Sequence, residues 1–438
     1  MTTTTNADGS FAFAGLPLCS DFTVTPLPSS NYTFLPTSVT LPANGQNLPN
    51  SPVFFNAIPK LIGFSVSTVS VPEGNSTLLF SVTRLNDISS AATVDYQTIG
   101  GTASERSDYV AAVGTLRFDP GQFTKQISVF LTDDAFHEAD ETFTLSLSNP
   151  TGAFLSDRPS VTVTINDNDA TNGTNNPIDD STIFVGQHYR DFLNRNPDAA
   201  GLNFWVNEIA SCGSNTQCVE IKRINVSAAF FLSIEFQETG YFAYRAYKSA
   251  FGDATSQNVV GTVPVIRFKE FLADAHRIGE GVQVGIGNWQ QQLDDNKNAY
   301  ALEFVQRSRF TLAYPLTMTA DEFVSKLDQN TGGALSVLER SQLRAMLGAT
   351  PEDPTKRAAV VQAVADDPEL RAAELNRAFV LMQYFGYLRR NPDDPQDVDY
   401  GGWKFWLDKL NQFNGNFAQA EMVKAFITSI EYRQRFGS

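Results

Sequence analysis

Hydrophobic side chains alternate at every second position in runs between Leu78 and Ile165, then recur every three or four residues after Ser181. No single regular element satisfies both spacings, because strand side chains repeat every second residue and helical ones every ~3.6. The chain therefore changes architecture once. Leu78, Phe80 and Val82 share a face, as do Ile127, Val129 and Leu131. Phe143, Leu145 and Leu147 form a third such run, and Val161, Val163 and Ile165 a fourth. Four alternating runs separated by turns such as D-P-G-Q predict an antiparallel sandwich over residues 59–169. Residues 170–181, ATNGTNNPIDDS, carry no periodicity and many turn formers, and read as a linker.

From residue 182 to 438 the pattern is helical. Phe184, His188, Tyr189, Phe192 and Leu193 mark one amphipathic face. Asn196-Pro197-Asp198 reads as a helix start, and Phe204, Trp205 and Ile209 continue the pattern. This region repeats itself. Tyr189, Phe192, Leu193, Arg195, Asp198, Gly201, Phe204 and Trp205 have counterparts in Tyr384, Tyr387, Leu388, Arg390, Asp393, Gly402, Phe405 and Trp406. Ser233-Ile234-Glu235-Phe236 returns as Ser429-Ile430-Glu431-Tyr432. Two clear copies, about 182–240 and 376–438, flank a degenerate middle with Trp289, Phe304 and Phe310. Such an arrangement predicts stacked helical units sharing a core. Asp198 and Asp393 are placed to cap a helix or to meet Arg195 and Arg390, and Ser233–Glu235 and Ser429–Glu431 to close a turn. Trp205, Trp289, Trp403 and Trp406 are expected in the core. The insertion from Asp394 to Gly401, present in the second copy only, reads as a solvated acidic loop.

Acids gather at the strand ends of the predicted sandwich: Glu73, Asp108, the run Asp133, Asp134, Glu138, Asp140 and Glu141, and the closing Asp167 and Asp169. A sandwich brings the loops at one of its ends together, and several carboxylates meeting there repel one another unless a hard cation sits between them. The alternative is that the acids solubilise the sandwich and discourage edge pairing.

Composition narrows the partners. The chain has 48 acidic and 32 basic residues among 438, a formal charge of −16. That balance argues against nucleic acid and suits a secreted protein or a cation binder. No apolar run approaches the ~20 residues of a membrane span. The N-terminus, MTTTTNADGSF, lacks the basic and apolar segments of a signal peptide. Of Cys19, Cys212 and Cys218, the last two bound a seven-residue loop. A disulfide between them suits an oxidising compartment, with two reduced thiols as the alternative. Sought catalytic patterns are missing: H-E-A-D-E lacks the second histidine of a zinc protease, and no nucleophile elbow or phosphate loop occurs.

Three resemblances follow. LRFDPGQFTKQISVFLTDDAFHEADETFTLSLSNP, with GGTASERSDYV and TINDNDA, resembles a Calx-β domain, the calcium-binding sandwich of sodium–calcium exchangers and of many bacterial surface proteins. That resemblance implies calcium held by Glu73, Asp108, Asp133, Asp134, Glu138, Asp167 and Asp169, with Glu141 an outer contributor. Ala135 and Asn168 remove charge relative to the calcium-sensing members, which implies fewer or more weakly held ions. Residues 181–438 resemble the bacterial helical domain of unknown function 4214, through its YxxxLxRxPDxxGxxxW and SxEF signatures. NADGSFAFAGLP, FTVTP and NYTFLPTSVTL within 1–58 resemble the second half of a carboxypeptidase-regulatory-like, prealbumin-type sandwich, so the chain is expected to begin inside a domain. The expectation is a multidomain β-plus-α protein: two antiparallel sandwiches, the second Ig-like, then an all-α repeat domain. The resemblances imply a non-enzymatic secreted or bacterial cell-surface protein, acting in adhesion or extracellular-matrix contact with a protein or polysaccharide. The competing reading is a carbohydrate-binding or hydrolytic module using the aromatics of the helical region.

Overall fold

The computed structural model describes residues 2–13, 21–42, 53–169 and 175–437. Cys19, the AGLP of NADGSFAFAGLP and residues 170–174 of the expected linker lie outside them. Four short strands come first: β1 (Phe22–Val24), β2 (Tyr32–Leu35), β3 (Val39–Leu41) and β4 (Asn56–Pro59). β1 pairs with β3 and β2 with β4, giving two antiparallel ribbons. None of their described residues is buried, so they share no core of their own. Thr33 Oγ1 donates to Asp87 Oδ2 at 2.6 Å, which ties one ribbon to the sandwich.

The sandwich consists of β5 (Leu61–Phe64), β6 (Thr68–Pro72), β7 (Thr77–Leu85), β8 (Ala92–Gly100), β9 (Val113–Phe118), β10 (Thr124–Phe130), β11 (Glu141–Thr151), β12 (Phe154–Leu155) and β13 (Ser160–Asn166). One sheet runs β10-β7-β5-β12, the other β6-β13-β11-β8-β9. The alternating runs meet face to face. Ile127 lies opposite Phe80 and Val129 opposite Leu78 in one sheet; Phe143 lies opposite Val163 and Leu145 opposite Val161 in the other. All are buried in one cluster, as period-two patterning requires when one face is dry. Most pairs are antiparallel, but β6 joins β13 and β12 joins β5 in parallel.

The stretch expected as a linker is packed where it is described. Asn176 Nδ2 donates to the carbonyls of Arg433 (3.1 Å) and Gly437 (3.0 Å), and its own side chain caps the turn Pro177–Asp179. Ile178 is fully buried and Asp179 pairs with Arg433 at 2.7 Å. An asparagine whose amide finds two carbonyls and an isoleucine with an apolar seat override the turn-former composition.

The helical region begins with α1 (Ser181–Leu193), capped by Asp180, then α2 (Ala199–Ala210), α3 (Thr216–Leu232) and α4 (Ile234–Glu238). Next come α5 (Gly240–Phe251), α6 (Phe268–Gly279), α7 (Trp289–Phe304), α8 (Ser308–Ala313), α9 (Ala320–Asn330), α10 (Val337–Leu347), α11 (Pro354–Ala365) and α12 (Pro368–Gln383). A π-helical turn, Tyr384–Leu388, leads to α13 (Gly401–Gln412), α14 (Met422–Ile427) and α15 (Ile430–Arg433). One core runs through all of it and holds the fully buried Trp403, with Trp205, Trp289 and Trp406 packed against it. No helix among the described residues is long and apolar enough to cross a membrane.

The repeat copies share a geometry the motif did not spell out. Arg195 clamps Glu235 through two bonds of 2.6 and 2.8 Å, and Arg390 clamps Glu431 at 2.6 and 2.9 Å. The arginines also lie over Tyr189 and Tyr384. Ser233 and Ser429 cap α4 and α15, so the serine, not the glutamate, closes the turn. Asp198 caps α2, bonding Gly201 N at 2.8 Å, whereas Asp393 pairs with Arg267 at 2.7 and 2.9 Å. In the insertion, Asp397 pairs with Arg390 at 2.8 Å and Asp399 accepts Gly401 N at 2.7 Å. Both acids have partners within the protein, while Pro395, Gln396 and Val398 around them are exposed, as a solvated loop requires. The copies do not simply stack in series: α1 meets the π turn, where Phe192 and His188 pack on Tyr387. Cys212 and Cys218 form a disulfide between α2 and α3, with Cα atoms 5.5 Å apart.

Candidate metal centre

The two sheets bring the ends of β6, β8, β10 and β13 and the start of β11 to one tip. Glu73 follows β6, and its N–H donates to Asn166 O at 3.0 Å, so it lies beside the segment leading to Asp169. Asp108 sits in the β8–β9 loop. Tyr109 bridges to Leu131 and Thr132 N donates to Asp108 O at 3.0 Å, so this loop runs alongside the β10–β11 loop that carries Asp133, Asp134 and Glu138.

Two carboxylate triads result. Glu73, Asp134 and Asp169 each place an oxygen within 4.8 Å of the other two, and so do Asp108, Glu138 and Glu141. Glu73, Asp108 and Asp134 are buried. Glu73 Oε1 accepts the Asp134 N–H at 2.9 Å, and Asp134 Oδ1 accepts the Phe136 N–H at 2.7 Å. Asp169 Oδ2 is buried with no hydrogen-bond partner.

Five of the six triad acids are pushed above the usual carboxylate range near ~4. Burial is the leading cause for each, and neighbouring negative charge adds to it. It lifts Glu73 to about 8, with Asp134, Asp169 and Asp133 contributing. Asp134 rises to about 7 and Glu141 to about 8. Glu138 and Asp169 rise as well. The triads feel one another: Asp134 is raised by Glu138 and Asp108, members of the second triad. Such a cluster is repulsive as ions and dry as neutral acids, and a divalent cation relieves both problems. The donors are all carboxylate oxygens, the set that suits a hard cation such as calcium and not a soft metal. The orphaned Asp169 oxygen is a further mark of fit.

Of the seven acids named from the sequence, five lie in the triads. Asp133 stands at the rim, with Oδ1 accepting Asn168 Nδ2 at 3.2 Å. Asp167 pairs with His137 Nδ1 at 2.7 Å. Glu141, expected as an outer contributor, is a full triad member. His137 was missed: its ring, beside both Asp167 Oδ2 and Asp169 O, buttresses the closing loop.

Residues 56–169 match the family model of the Calx-beta domain, and residues 169–240 match a domain of unknown function, DUF4214. The sandwich is a Calx-beta domain. Among curated relatives, the extracellular matrix organizing protein FRAS1 of Mus musculus is 35% identical over 112 residues, 24% of this chain and 3% of that protein. The sodium/calcium exchanger Calx of Drosophila melanogaster is 40% identical over 89 residues, 20% of this chain and 9% of its own. The chain thus spans a tenth or less of these relatives. Among solved structures, the apo-form Calx CBD1 domain is 34% identical, covers 25% of this chain and 98% of its own, with a TM-score of 0.25. The Calx-beta match places all seven sequence-named acids inside the matched span.

Proposed function

We propose that this chain is a non-enzymatic calcium-binding modular protein of a secreted or cell-surface setting, in which calcium at the Calx-beta tip stiffens the sandwich that carries the helical region. The helical region then contacts an extracellular protein or polysaccharide. The observation that carries the reading is the pair of adjoining carboxylate triads, raised in pKa by burial and by one another. Calcium takes six to eight oxygens, and extracellular modules bind it with Kd of about 10⁻⁴–10⁻³ M. Cancelling the repulsion at the tip holds the β8–β9, β10–β11 and post-β13 segments in one arrangement.

Calorimetric titration of the full chain tests this. Millimolar calcium is expected to give a saturable heat, lost or weakened at least tenfold in Asp134→Asn and Asp108→Asn. No heat, together with a melting temperature equal in calcium and in chelator, overturns it. The carbohydrate-binding or hydrolytic reading draws less support, because Trp403 is fully buried and the other tryptophans pack against the core. Phe204 and Phe405, at 57% and 58% exposed, are the aromatics left to argue for it.

A further inference from the structure

We propose that Arg435, in the last turn of the helical region, is a positioning residue for the metal centre on the sandwich. Cation binding and seating of the helical region on the sandwich tip then form one coupled equilibrium. The proposal rests on the calcium reading above and adds to it a residue far outside the acidic motif.

Arg435 is buried, and one side of its guanidinium is committed to the helical region. Nη1 donates to Asp191 Oδ2 and to Tyr387 O, both at 2.9 Å, and Nη2 donates to Asp191 Oδ1 at 3.2 Å. Asp191 belongs to the first repeat copy, Tyr387 and Arg435 to the last. Another donor, Nε, leaves the region altogether and bonds the backbone carbonyl of Arg106 at 2.8 Å. A guanidinium is planar and rigid, so fixing its Nη edge fixes the direction of Nε.

Arg106 sits in the middle of the Ser104–Asp108 turn. There Asp108 N donates to Ser104 O at 3.1 Å, and Ser104 N donates back to the Asp108 carboxylate. Moving the Arg106 carbonyl therefore moves Asp108, the residue that completes the triad with Glu138 and Glu141. Two weaker contacts join the same turn to the same neighbour: Arg106 Nη1 to Pro395 O at 3.3 Å and Lys269 Nζ to Glu105 at 3.5 Å. A turn gripped on one side by the helical region and on the other by a cation transmits each to the other. Without the cation, the turn loses its hold on the triad side, and the Arg106–Arg435 bond is left to fix the Arg106 carbonyl alone. By linkage, whatever calcium adds to the seating, the seating adds to calcium affinity.

The test uses the full chain, with amide hydrogen exchange read in calcium and in chelator while calorimetry records binding. Calcium is expected to slow exchange about fivefold or more in peptides covering 430–437, which hold no triad ligand; ordinary couplings start near that size. Asp108→Asn abolishes the effect. Arg435→Lys keeps a charge opposite Asp191 but lacks the Nε donor, and its calcium affinity is expected to fall by a similar factor. Calcium bound with normal heat, yet with exchange at 430–437 unchanged, overturns the coupling and leaves the calcium site standing. Absence of any binding heat removes the site and the coupling together. If Arg435→Lys fails to fold, the exchange comparison on the unaltered chain decides alone.

Discussion

A carboxyl group kept protonated by burial becomes a calcium ligand only by giving up its proton. Glu73 and Glu141 at about 8 and Asp134 at about 7 make that exchange visible near neutrality. Calcium binding at pH 7 is therefore expected to release protons, measured as a binding heat that changes with the ionisation enthalpy of the buffer; equal heats in all buffers contradict the shifts. The same groups set the metal-free stability. From pH ~4.5 to 8 the unfolded chain loses these protons while the folded one keeps them, so the folded state binds more protons and stability falls as pH rises. Denaturant midpoints in chelator are expected to drop across that window, and calcium to flatten or reverse the trend. Most of this site was legible in the residues, because acids at strand ends mark a tip whatever the loop conformation. The roles of His137 and Glu141 were not. Which nitrogen meets which oxygen depends on how the 131–140 loop folds, and no spacing in the chain encodes that.

The helical copies show the same boundary between what spacing reveals and what it hides. Arginine and S-x-E recur in both, yet the clamp joins residues 40 and 41 positions apart across separate helices, beyond the reach of any periodicity. The two clamps bury opposite members: the side chain is 22% exposed at Arg195 and 9% at Glu235, against 3% at Arg390 and 22% at Glu431. Breaking a buried ion pair by removing one partner costs about 3–5 kcal/mol, and an exposed one far less. Each clamp has one well-buried member, so Arg195→Ala and Arg390→Ala are both expected to lower stability by about 3 kcal/mol, read from thermal or denaturant unfolding; a loss well under ~1 kcal/mol in either, as at an exposed pair, would remove the clamp as a stabilising contact. The disulfide between α2 and α3 closes a short loop, with its cysteines six positions apart. In the loop-entropy account a ring of that size contributes about 2 kcal/mol. Cys212→Ser is expected to lose that much, with the same loss on adding reductant to the unaltered chain.

At the scale of the molecule, the order of sandwich and helical region was readable from periodicity, but their contact was not. Arg117 of β9 pairs with Glu303 of α7, and α6 lies along β9. Such pairs lie nearly two hundred residues apart and leave no local trace. The interface predicts that calcium, at ~100 times its Kd, stabilises the tip by about 2.7 kcal/mol and shifts more than the sandwich transition. Scanning calorimetry of the full chain is expected to show the helical transition moving as well; a shift confined to one transition argues for independent units.

Asp191, in the first helix after the sandwich, takes its buried cationic partners from the far end of the region: Arg389 at 3.7 Å and Arg435 at 2.9 Å, the latter 244 positions later. During synthesis, a chain with that arrangement is expected to hold the aspartate without a cation beside it until the second repeat copy has emerged. Packing of the first copy against the second is therefore expected to come late, after most of the region has been made.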